Sequence, residues 1–171
     1  MHVTKLILIG FMGSGKSSVA PLLAQRLNFR AIDADRELVR ASGYESIPEI
    51  FNQAGETVFR DLEARCVATF RDLSSVVIAT GGGVIGRPEN MQHLSHNGGI
   101  IVFLDTSFAE IKRRIGDLAS RPLFKNQDIA ETIYHQRLPV YRRYADHTVY
   151  TDGKTPEELC AEIENLLEAH R

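Results

Sequence analysis

Residues 10 to 18 read G-F-M-G-S-G-K-S-S and follow directly on the apolar run Leu6-Ile7-Leu8-Ile9. Gly10-x-x-x-x-Gly15-Lys16-Ser17 is a complete P-loop pattern. Its glycines let the backbone curl until successive N–H groups, from Gly13, Ser14, Gly15 and Ser18 among others, point at phosphate oxygens. A helix opening at the end of the loop adds partial positive charge. Lys16 supplies a full charge to the β- and γ-phosphates, and the Ser17 hydroxyl suits a Mg²⁺ ligand. The anion that this turn is built to hold is the triphosphate tail of a nucleotide. The loop alone does not separate transfer to a small molecule from an NTP-driven switch or motor.

Three further groupings could do chemistry. Asp33 and Asp35 stand two apart at the end of an apolar run, and alternation along a strand would turn both carboxylates to one side. One can then reach a metal shell while the other accepts a hydroxyl proton. Arg60 and Glu63 lie one helical turn apart, either as a surface ion pair or with Glu63 orienting Arg60 toward a carboxylate ligand. Gly81-Gly82-Gly83 reads as a flexible strand exit or as bare backbone that a ligand can touch.

Such groups need a frame. Short apolar runs at Leu6–Ile9, Phe29–Ile32, Val76–Ala79, Ile100–Leu104 and Thr148–Tyr150 alternate with amphipathic stretches such as Ser17–Leu27. Continuous runs of this kind are buried on both faces, as parallel strands are. The pattern predicts a single-domain, doubly wound parallel α/β sheet of about five strands flanked by helices. Thr155-Pro156-Glu157-Glu158 predicts a capping box, and Ser107-Phe108-Ala109-Glu110 carries the same signature. Residues 36–70 are more helical than one crossover needs, which predicts a substrate-binding helical insertion. Residues 116–128 read as a mobile polar loop, and 129–145 as a helix carrying Arg137, Arg142 and Arg143. Arg142-Arg143 is expected to be a solvated face. Ligands of open α/β sheets bind beyond the carboxyl ends of the strands, so the chemistry belongs after residues 9, 32, 80 and 105.

The 171 residues include 20 Lys+Arg and 22 Asp+Glu, a formal charge of -2 that argues against a general nucleic-acid binder. No apolar run reaches the roughly 18 to 20 residues that a membrane span needs. The chain enters its first strand almost at once, so no leader peptide is expected. Cys66 and Cys160 are too few and too far apart for a zinc site and are expected to be reduced thiols at a cytoplasmic address. His93, His96, His135 and His147 have no metal-ligand spacing.

Taken together, G-F-M-G-S-G-K-S-S, D-A-D, S-I-P-E-I-F, G-E-T-V-F-R-D-L-E, T-G-G-G-V, R-P-L and R-L-P-V-Y resemble the shikimate kinases over essentially the whole chain. P-loops belong to many enzymes, but the acidic pair, F-R-x-x-E and G-G-G in this order are far more specific. The resemblance implies a P-loop kinase fold and ATP-dependent phosphorylation of the 3-hydroxyl of shikimate, with Mg²⁺, in aromatic amino-acid biosynthesis. It makes Asp35 the residue that holds the shikimate hydroxyls and a candidate base, and Asp33 an outer-shell Mg²⁺ partner. Arg60 and Arg137 would grip the shikimate carboxylate, Gly81, Gly82 and Gly83 would offer backbone contacts, and Phe51 and Phe59 would line the pocket. Arg121 resembles a lid arginine over the phosphates, and Arg114 a second nucleotide-side arginine. Lys154 stands where many members carry an arginine over adenine, and lysine is not an equivalent stacker. A monomer acting on two small molecules is expected, with no nucleic acid or membrane partner. Two other readings stay open: a kinase for another hydroxylated acid such as gluconate, and a nucleotide-binding regulator without catalysis.

Overall fold

Alternate side chains of the first strand enter two different cores. In the computed structural model, which describes residues 3–115 and 126–169, Leu6 and Leu8 pack on one side of the sheet and Ile7 and Ile9 on the other. The elements run β1 (Lys5–Ile9), α1 (Lys16–Leu27), β2 (Arg30–Asp33), α2 (Ala34–Ser42), α3 (Ile47–Ala68), β3 (Val76–Ala79), a 3₁₀ turn (Val84–Gly86) and α4 (Pro88–Ser95). Then follow β4 (Gly99–Asp105), α5 (Phe108–Ile115), α6 (Gln127–Tyr144), β5 (His147–Tyr150) and α7 (Pro156–Ala169). All pairings are parallel, in the order β2-β3-β1-β4-β5. Helices α1 and α7 cover the face holding Leu6 and Leu8, and α2 to α6 cover the other.

The predicted doubly wound sheet is therefore present, with every strand within two residues of its expected position. β1 pairs with β3 on one side and β4 on the other, so the chain's direction of winding reverses at its carboxyl end. A crevice opens at such a switch point, and the P-loop starts there. The helical region after β2 is two helices, and the second is broken at Gly55, whose φ of 84° lies outside helical space.

Several local expectations need correction. Asp33 ends β2 but Asp35 lies in the first turn of α2, so the pair is not made by strand alternation. Helix α6 begins at Gln127 rather than residue 129, because the Asn126 carboxamide accepts from the N–H groups of Asp128 (3.0 Å) and Ile129 (3.3 Å). Thr155 and Glu158 form the full capping box. Ser107 forms only half of one: its Oγ accepts from Glu110 N–H, while its own N–H donates to Asp152. The Glu110 carboxylate is drawn instead to Arg113 and Arg114. Arg142 is not simply solvated, since its Nη2 donates to the buried Asp105 carboxylate at 3.1 Å. Cys66 and Cys160 are free thiols, buried in opposite cores.

One buried cation ties layers together. Lys5 is fully buried, and its Nζ donates to the carbonyls of Phe70 (3.1 Å), Arg71 (2.8 Å) and His93 (3.4 Å). Three carbonyls use all three ammonium donors. Those of Phe70 and Arg71 lie just past the C-terminus of α3, and that of His93 in the last turn of α4, where helix dipoles favour a cation.

Candidate active site

The P-loop leaves β1 and turns into α1 through Gly15, whose φ of 95° is the left-handed conformation that glycine adopts without strain. Gly13, Gly15, Lys16, Ser17 and Ser18 line a cleft of about 390 Å³, together with Asp35, Gly81, Gly82 and Arg114. Lys16 is 7% exposed and folds back on its own loop, donating to the carbonyls of Gly10 (2.6 Å) and Phe11 (2.9 Å) and to Ser14 Oγ (3.2 Å). A phosphate in the cradle would compete for those donors.

On the nucleotide side, Arg114 spans the P-loop and the end of β5. It donates through Nη1 to the Ser14 carbonyl (3.2 Å) and through Nη2 to that of Thr151 (2.7 Å). Its Nε is fixed by Glu110 at 2.8 Å, and hydrogen bonds from Arg113 and Arg114 pull the Glu110 carboxyl down to a pKa of about 2. Lys154 is ion-paired to Glu162 at 2.5 Å. Arg121 and residues 116–125 of the expected lid lie outside the described residues.

Asp33 faces both ways. Its Oδ1 accepts from the N–H groups of Asp35 (3.1 Å) and Arg36 (3.2 Å) as the cap of α2, while Oδ2 accepts from Ser17 Oγ at 3.4 Å. Helix capping thus fixes the carboxylate beside the P-loop serine. Two hard oxygen donors at the rim of a phosphate cradle fit Mg²⁺, which takes few protein ligands when phosphates supply the rest.

The acceptor side is assembled around the glycine run. Thr80 closes β3 with its hydroxyl on the Leu8 carbonyl (2.9 Å), and the chain then passes Asp35, the P-loop and Arg60 in three steps. A Cβ on Gly81 would lie 2.9 Å from Asp35 Oδ1 and 3.2 Å from Glu63 Oε1. One on Gly82 would meet Met12 N at 3.4 Å and the Gly10 carbonyl at 3.5 Å. One on Gly83 would overlap the Arg60 guanidinium. Small residues here allow an acidic group, an arginine and the phosphate loop to meet.

Arg60 donates to Glu63 Oε2 at 2.8 Å and lies over the Phe59 ring at 5.0 Å; Phe59 in turn packs on Phe51 with centroids 4.6 Å apart. Glu63 is only 5% exposed. Burial pushes its pKa up, and Arg60 partly offsets the shift. From α6, Arg137 lies over the Phe11 ring at 5.8 Å, and its charge partly offsets the burial that raises the pKa of the Tyr141 hydroxyl. Among the described residues, every predicted acceptor-side group is within this assembly. Tyr141 was not singled out by the sequence, although it stands one turn past Arg137 on the same face.

The shikimate kinase family model matches residues 12–168. The shikimate kinase of Persephonella marina is 39% identical over 92% of this chain and 95% of its own length. That of Geobacter metallireducens is 40% identical over 97% of this chain and 93% of its own. Among solved structures, a shikimate kinase from Acinetobacter baumannii in complex with shikimate superposes with a TM-score of 0.92 at 30% identity, covering 99% of this chain and 95% of that one. The shikimate kinase from Aquifex aeolicus gives 0.81 at 36% identity, covering 97% of each chain. Relatives this similar over nearly their full length share more than the P-loop. The chain belongs to the shikimate kinase family.

Proposed function

We propose that this protein transfers the γ-phosphoryl group of ATP to the 3-hydroxyl of shikimate, giving shikimate 3-phosphate and ADP. The observation that carries the reading is the glycine run, which sets Asp35 and Arg60 against the phosphate cradle. Phosphoryl transfer asks a protein mainly to position the reactants and stabilise charge. Asp35 holds the acceptor hydroxyl and takes its proton. Arg60 and Arg137 pair with the carboxylate, using the planar fork that suits that geometry. The backbone of Gly81, Gly82 and Gly83 touches the ring, and Phe51 and Phe59 wall the pocket.

On the donor side, Lys16 exchanges loop carbonyls for phosphate oxygens, and the N–H groups of Gly13 through Ser18 complete the cradle. Ser17 and Asp33 would hold Mg²⁺, which when bound neutralises phosphate charge. Arg114 is assigned to the nucleotide, Arg121 to the transferring group, and Lys154 to adenine at the cost of its pair with Glu162. No helix among the described residues is long and apolar enough to cross a membrane. A monomer in the cytoplasm is part of the proposal, the address being supported by two thiols that form no disulfide.

An ADP-release assay with shikimate, with gluconate and with no acceptor tests the reaction. Shikimate is expected to stimulate Mg-ATP turnover strongly. A folded, ATP-binding preparation that phosphorylates gluconate and ignores shikimate would overturn the reading.

Gly83→Ala tests the acceptor geometry without touching a charged group. Gly83 has an ordinary φ of -95°, so alanine fits the backbone, but its Cβ would displace the Arg60 guanidinium. Affinity for shikimate is expected to fall about tenfold, near the lower end of one charge-assisted hydrogen bond. Calorimetry reads this directly, and unchanged affinity would mean that Arg60 need not occupy its present position.

A further inference from the structure

The motif R-L-P-V-Y contributes Arg137 to the site, but its last residue has no role in the scheme above. Tyr141 is 1% exposed, the largest fully buried side chain among the described residues. Its hydroxyl donates to the Gly82 carbonyl, tying α6 to the loop that follows β3. Its ring stacks on Phe103, with centroids 5.1 Å apart and planes inclined by 18°. Phe103 pairs in the sheet with Ile9, the last strand residue before the P-loop. The Gly82 peptide is enclosed as well: a Cβ there would be 3.6 Å from the Tyr141 hydroxyl and 3.5 Å from the Gly10 carbonyl.

From this geometry we infer that Tyr141 is a positioning residue, holding the Gly82 peptide in register with the phosphate cradle. The inference rests on the proposed shikimate kinase reaction. The hydroxyl donates to the acceptor-side loop from the helix that also carries Arg137, one turn earlier on the same face. The stacked ring prevents it from following that loop away from the sheet.

The chemistry of the hydroxyl suits a fixed bridge. Burial pushes its pKa up to about 12, and Arg137 only partly offsets the shift. The phenol therefore keeps its proton across physiological pH and always donates to Gly82. Two neighbours on the helix support the placement. Tyr134, seven residues earlier, donates to the Thr106 carbonyl at 2.9 Å and packs edge-on against Phe11 at 5.5 Å. Arg137 lies between the two tyrosines on one face of α6. Its helix is thus pinned to strand ends on both sides of it.

Tyr141→Phe keeps the ring and removes only the bridge. The expected result is a rise of about tenfold in KM for shikimate, with KM for ATP changed less than twofold. The same substitution on an Arg137→Ala background should again raise KM for shikimate about tenfold, because it acts through Gly82 and not through the arginine. Equal losses for both substrates would overturn the inference in favour of a general packing role, and so would an effect under threefold without Arg137. Unaltered KM for shikimate in Tyr141→Phe would also overturn it. A crystal structure of the variant supplies a readout free of turnover, and an unmoved Gly82 would count against the bridge. If the wild type ignores shikimate, the functional reading fails and this role fails with it; a working wild type beside an unaltered variant overturns the positioning role alone.

Discussion

Asp35→Asn is expected to lower turnover by about a hundredfold or more while leaving ATP binding intact. The substitution is nearly isosteric, so the first turn of α2 and its Asp33 cap should stay in place. It removes the negative charge that accepts and aims the acceptor hydroxyl, which is the one function that no neighbour can take over. Glu63, the other carboxylate at Gly81, is already committed to Arg60. Lys16, which grips the triphosphate, is held by the carbonyls of Gly10 and Phe11 and by Ser14 Oγ, and the substitution changes none of these groups. Single-turnover measurement with saturating ATP and shikimate isolates the chemical step. Near-normal turnover would mean that Asp35 acts neither as base nor as orienting group.

Arg60→Ala should be costly twice. Shikimate loses one of two cationic partners, a loss of about 1.5 to 3 kcal/mol in binding. The fold also loses the partner of a buried carboxylate. Removing one member of a fully buried pair costs roughly 3 to 5 kcal/mol, but Arg60 keeps some contact with solvent, so about 2 kcal/mol is the better expectation. The sign of the pH dependence follows from Glu63. Its folded pKa lies above the ordinary 4.5, so the folded state binds the proton more tightly than the unfolded chain does. Stability from this group therefore falls as pH rises from 4.5 through the folded value, and Arg60 limits that fall. Without Arg60 the window widens upward. The variant's deficit against the wild type should be larger at pH 7.5 than at pH 5.5, as urea unfolding at the two values would measure. A deficit independent of pH would place its cause in packing against Phe59 instead.

What was legible in the sequence was what local pattern and sheet topology determine. Leu6–Ile9 and Val76–Ala79 read as buried strands because parallel strands covered on both faces carry no polar positions. The P-loop was legible because its spacing is dictated by the curl of the backbone around phosphate. Arg60 and Glu63 stood out because helical spacing alone brings them together. The misreadings involve partners distant along the chain or a change of element within a few residues. Asp33 and Asp35 looked like strand neighbours because nothing marks the abrupt entry into α2 except the Asp33 cap itself. Arg142 looked solvated because its partner, Asp105, is 37 residues earlier. Tyr141 has the signature of any core aromatic on an amphipathic helix, and only the glycine loop folded against it reveals the hydroxyl's task. Lys5 begins a strand like many exposed lysines, and the carbonyls that enclose it come from 65 to 88 residues further on.

The strand order has a consequence for how the chain is made. β1 leaves the ribosome before every other strand yet occupies the middle of the sheet, and its nearest partner in sequence among its two neighbours is β3. Lys5 pairs with Val76, 71 residues later. At about 5 to 20 residues per second, Leu6 to Ile9 wait roughly 4 to 14 seconds for that partner. The second edge waits longer, since β4 begins at Gly99. Throughout that interval the most apolar strand of the nascent chain has two open edges, the condition in which strands pair with the wrong neighbour. Substitutions that slow synthesis between residues 10 and 76 should therefore lower the yield of folded protein without altering the stability of the molecules that do fold.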